Sequence, residues 1–68
     1  MEVLICEATI GATRLRLLEN HGTVLPFSIC ESFVGEQTIA CRDDFATIDA
    51  ATQAYLDRRR ELRLDRGL

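Results

Sequence analysis

The chain contains no lysine; all eight of its basic residues are arginine, against eleven acids, and nothing in the sequence explains that bias. It has no apolar run approaching the roughly 18 residues a membrane helix needs. The longest run near the start, Val3-Leu4-Ile5-Cys6, is too short for a signal-peptide core and follows an acid rather than a basic segment. These absences predict a soluble, cytoplasmic protein with no membrane role. There is no C-x-x-C pair either. Cys6, Cys30 and Cys41 are odd in number, whereas a secreted disulfide scaffold of this size carries an even set. Reduced thiols, mostly buried as small apolar residues, are the expectation.

The same thinness extends to sites of chemistry. A zinc centre needs ligands in pairs at short spacing, but Cys6, Cys30, Cys41 and His21 come from four separate segments. No glycine-rich phosphate loop exists: Gly11, Gly22, Gly35 and Gly67 are isolated, each where the chain must turn. His21 is the only histidine, and the E-N-H-G around it is ordinary hairpin chemistry rather than a base with an oriented partner. Neighbouring Asp43 and Asp44 read as a solvated corner between strand and helix. The expectation is a protein that is not an enzyme, with no catalytic residues, no metal and no cofactor.

What is present begins with one helical stretch, residues 44–63. Phe45, Ile48, Ala51, Tyr55 and Leu62 recur at spacings of three, four and seven and share one face. Thr47 is the expected N-cap, and Asp49 adds negative charge near the positive end of the helix dipole. Arg58, Arg59, Arg60 and Arg63 suit the exposed carbonyls at the other end, and Gly67 is the expected stop. Helix-end solvation accounts for these arginines more simply than phosphate contact does.

Nearly everything earlier reads as strand. Residues 2–8 are apolar-rich with β-branched Val3 and Ile5. Over 13–18, Leu15 and Leu17 alternate with Arg14 and Arg16, which suits a sheet with one side in water. Residues 19–22 form a hairpin connection in which Asn20 and Gly22 tolerate positive φ. A third strand is expected over 23–33, with Leu25, Phe27 and Ile29 on the covered face and Pro26 where an N–H faces solvent. Gly35-Glu36 turns the chain into a fourth strand, 37–42, after which Asp43-Asp44 breaks the pairing. The fold class is therefore α+β: a four-stranded antiparallel meander packed against one C-terminal helix, ββββα.

With 68 residues there is room for a single domain, 1–68, with 64–68 as a frayed tail. A chain near this length buries only about 60% of its unfolded surface, so a net stability of roughly 3–5 kcal/mol is expected and a homodimer would raise it. Charge is uneven: residues 1–57 carry nine acids against three arginines, a balance of −6, while 58–68 carry five arginines against two acids, a balance of +3. The acidic body repels nucleic acid and attracts basic surfaces, so a protein partner is expected and no direct nucleic-acid contact. The candidate partner-binding set is the wet sheet face and its turns: Arg14, Arg16, Glu31, Phe33, Glu36 and Arg42.

From Leu18 onward the order of landmarks resembles small phage-encoded anti-CRISPR proteins of the type I class. The similar stretches are E-N-H-G at Glu19–Gly22, I-C-E-S-F-V-G at Ile29–Gly35, and A-C-R-D-D-F at Ala40–Phe45 leading into a capped helix with Ala54-Tyr55-Leu56. The resemblance implies a non-enzymatic inhibitor, in the bacterial host cytoplasm, that binds the CRISPR surveillance complex along its backbone subunits and blocks target DNA binding; the acidic body would suit the basic channel that holds nucleic acid there. In that family the binding sheet carries aromatic residues and a glutamate. Here Leu18 and Cys6 stand at the aromatic positions, and Glu31 is the acidic match. More loosely, the layout resembles antitoxin modules, and a small accessory subunit that binds one protein partner is the remaining alternative. The arm-type DNA-binding domains of phage integrases share it too, but those are basic and this body is acidic.

Overall fold

The computed structural model describes residues 2–36 and 38–65, and bears out the ββββα order. Strands β1 (Glu2–Ile10), β2 (Thr13–Asn20), β3 (Phe27–Phe33) and β4 (Ile39–Phe45) form one antiparallel sheet in sequence order, and α1 (Ile48–Asp65) packs on one face. The β1–β2 turn uses Gly11 at φ 61, and the β3–β4 turn uses Gly35 at φ 91, conformations that cost a side-chain-bearing residue energy. The pairing register shifts twice, between Leu4 and Cys6 in β1 and between Glu31 and Ser32 in β3. Both shifts lie on pairings with an outer strand, where an extra residue bends the ladder at least cost.

The alternation in β2 works as expected. Leu15 and Leu17 are fully covered and meet Ile29 of β3, with Ala51, Tyr55 and Leu62 of α1 above them. Phe27 and Phe45 pair across β3 and β4 and pack at the margin of this core. Ala51 has no exposed surface, so it marks where the helix comes closest to the sheet. Thr47 caps the helix as expected: the Ala50 amide donates to its Oγ1 at 3.2 Å. Asp49 lies in the first turn and Arg63 in the last.

Several boundaries differ from the sequence-based expectation. Residues 23–26 form a loop rather than the start of β3, closed by the Asn20 amide donating to the Pro26 carbonyl at 2.6 Å. Leu25 is therefore exposed rather than covered, and Gly22 at φ 87, not Asn20, carries the positive φ. The pair Asp43-Asp44 does not end the sheet: Asp43 pairs with Ile29 and Asp44 with Ser28, so Phe45 belongs to β4 and the helix starts at Ile48. Ile48 is 39% exposed and contributes little to the core. At the other end α1 takes in Leu64 and Asp65 of the expected tail 64–68. Gly67 and the rest of that expected tail, 66–68, lie outside the described residues, as does Gln37. No helix among the described residues is long and apolar enough to cross a membrane.

Candidate protein-binding surface

The sheet has one face under α1 and one face open. Because side chains alternate along a strand, the residues between the buried Leu15, Leu17 and Ile29 point to the open side. Two ionic clusters occupy it. Glu7 of β1 lies between Arg14 and Arg16 of β2, 3.5 Å and 3.2 Å from their Nε atoms. Both Nε atoms are buried without a well-formed hydrogen bond, so the attraction of Glu7 is what offsets their desolvation.

Arg42 builds the second cluster and crosses the sheet to do it. From β4 its Nη1 reaches Glu2 Oε2 on β1 at 3.0 Å, its Nε donates to Asp44 Oδ1 at 3.1 Å, and its Nη2 donates to Ser28 Oγ at 3.1 Å. Ser28 in turn donates to Asp44 Oδ1 at 2.5 Å. This explains a feature that strand alternation alone does not: Ser28 and Cys30 are buried on the open face, roofed by guanidinium groups rather than by the helix. The Ser28 hydroxyl, and then Arg42, hold the Asp44 carboxyl below the usual carboxylate range. Burial pushes the Cys30 thiol up, away from the reactive thiolate.

The six residues expected to share one wet face do not. Arg14, Arg16 and Arg42 are on the open face, but Glu31 and Phe33 project to the helix side and Glu36 lies in the β3–β4 connection. The parity that puts Phe27 and Ile29 under the helix carries on to Glu31 and Phe33, which pair with Leu15 and Thr13. Glu31 accepts from Arg58 Nε at 2.9 Å, and Arg58 also reaches Glu61 at 3.0 Å. That bridge walls a groove of about 210 Å³ at the end of the core, which Phe33, Cys41 and Leu62 also line. The groove is more apolar than the open face, and its ionic groups already satisfy each other.

The remaining sequence candidates stay apart. His21 Nε2 is 3.8 Å from Glu19 Oε2 in an exposed turn, beyond hydrogen-bond distance. All the cysteines are free thiols; Cys30 is buried, but Cys6 is half-buried and Cys41 is exposed, so burial of the set is only partial. Cys30 is on the open face, whereas Cys6 and Cys41 pair with helix-side residues Leu17 and Glu31.

What sequence reading passed over lies at the β1 side of the molecule. Val3, Leu4 and Ile5 are exposed in a row at 42–50% on the unpaired outer edge of β1. Arg59, Arg60 and Arg63 have no carboxylate within ion-pair distance among the described residues, whereas Arg14, Arg16, Arg42 and Arg58 all do. The sequence signal for these arginines is the reversal of charge after residue 57, which helix-end solvation alone also explains. No protein-family model matches the chain, and no similar curated protein or solved structure was found.

Proposed function

We propose that the chain acts by binding a protein partner, and specifically as a phage anti-CRISPR protein that docks on a type I surveillance complex and blocks target DNA binding. The observation that carries the binding reading is the open edge of β1. Proteins normally blunt an edge strand with lysine, proline or a covering loop, because its free N–H and C=O groups recruit another strand. Here the edge is nine residues long, has no basic residue or proline, and exposes Val3, Leu4 and Ile5. Its two acids, Glu2 and Glu7, are drawn into ion pairs with Arg42, Arg14 and Arg16, which leaves the bulge beside Leu4 as the remaining such device among the described residues.

The finer reading draws on two further features. The ββββα layout is the one the anti-CRISPR resemblance implies. The acids without an ion-pair partner among the described residues, Glu36, Asp43, Asp49 and Asp57, leave negative charge free to meet a basic nucleic-acid channel. The test is a pull-down of tagged protein from lysate of a host with active CRISPR systems, at low and then high salt. The reading predicts recovery of the surveillance complex, weakened by salt. Recovery of one small stoichiometric partner instead would make the chain an antitoxin or accessory subunit, and recovery of nothing would reject partner binding.

A further inference from the structure

The flanks of α1 differ in a way that bears on what β1 accepts. Arg58 reaches across to Glu31, so that flank faces β3. The opposite flank faces β1: Tyr55 is buried with its hydroxyl beside the Cys6 thiol, and the Arg59 guanidinium lies 6.0 Å from the Tyr55 ring centre. From Arg59 the helical repeat carries this flank outward through Leu56, Arg63 and Arg60. These side chains and exposed Leu64 line one concave surface. Arg59 and Arg63, without carboxylate partners among the described residues, therefore lie on the β1 side of α1, toward the Ile10 end of that strand.

We infer that this combined surface takes an extended acidic segment of a protein partner, added as a fifth strand to β1 with its carboxylates toward Arg59 and Arg63. The backbone edge supplies hydrogen bonds, Val3, Leu4 and Ile5 supply apolar contact at one end of the strand, and the guanidinium groups select the charge of the helix-side residues at the other. A second copy of this chain would offer a β1 strand whose carboxylates, Glu2 and Glu7, are already held by its own Arg42, Arg14 and Arg16. Nucleic acid fits the arginines but leaves the apolar edge uncovered, and the body around it is acidic. The inference rests on the protein-binding reading and narrows it. One large complex has room for an acidic strand here and a basic channel against the acids elsewhere.

The experiment uses a fluorescein-labelled peptide of four Val-Glu repeats, its Val-Lys counterpart, and an oligothymidine, each titrated into the intact protein at low salt. The Val-Glu peptide is expected to bind and to slow hydrogen exchange at β1 amides. Arg59→Glu with Arg63→Glu should weaken it by more than about tenfold, since two charge-assisted contacts are lost. The exchange measurement needs no variant, so a folding defect in the double mutant does not obscure the result. Equal binding of the Val-Lys peptide, protection at β4 instead of β1, no binding at all, or binding of the oligothymidine alone would overturn the inference. So would a surveillance complex captured undiminished by the double mutant, and in that case partner binding itself would stand.

Discussion

Arg42 is the residue on which the open face turns. One guanidinium ties β4 to β1 through Glu2, and to β3 through Ser28, while holding Asp44 in place beside it. Exposed ion pairs contribute little singly, so the stabilisation expected here comes from the buried Ser28 hydroxyl that the network satisfies. Ser28→Ala should cost about 1 kcal/mol in urea unfolding, through loss of its hydrogen bond to a charged group. The Asp44 carboxyl, held below its ordinary value by Ser28 and Arg42, stabilises the fold fully above about pH 4, the range of an unperturbed aspartate. That contribution is lost as pH falls through the depressed value, and Asp44→Asn should flatten the acid limb of the stability profile. An unchanged acid limb would mean that the network does not persist in solution. Tyr55 is 4% exposed beneath α1, so Tyr55→Ala should cost roughly 3–5 kcal/mol. A loss near zero would mean that the helix packs by another face.

Among the elements, α1 is the one whose sequence is most informative. Its cap, its charge order and the buried trio Ala51, Tyr55 and Leu62 follow from spacing alone. Thr47→Ala should lower stability by about 1 kcal/mol by freeing the Ala50 amide. Ala51→Leu should destabilise by roughly 1–3 kcal/mol, since a larger side chain has no room at the closest approach to the sheet. Thermal melts of both variants check these values; a neutral Ala51→Leu would indicate a looser contact. The strands were legible where one side is buried, as in β2, and misread where polar residues pair. Asp43 and Asp44 look like a break because acids rarely suit strands, yet Ser28 and Arg42 accommodate Asp44. Residues 23–26 look like strand because Val24 and Leu25 are apolar, yet they form an exposed loop. Glu31 departs from expectation for a related reason. Its charge suggests water, but its strand parity puts it on the helix side, where its partner Arg58 is 27 positions away in sequence.

On the scale of the whole molecule, the helix packs across the sheet, closest over β2 and β3, and leaves the outer edges of β1 and β4 unpaired. Charge is arranged by element: carboxylates neutralise the arginines of the sheet, and those without a carboxylate partner among the described residues, Arg59, Arg60 and Arg63, lie together on α1. That distribution was not readable from counts of charge, because which arginines find acids depends on register. It also changes what mutagenesis should target. Glu31→Arg would set a second cation against Arg58 and weaken the fold, so loss of activity in it says nothing about partner contact. Surface variants at Glu36, Arg59 and Arg63 are the informative ones. The central claim, inhibition by binding alone, is tested most directly with a purified type I surveillance complex and labelled target DNA. With the protein added in excess, the account predicts loss of DNA binding, co-elution of the protein with the complex, and both macromolecules left intact. Undiminished DNA binding with no co-elution would contradict it.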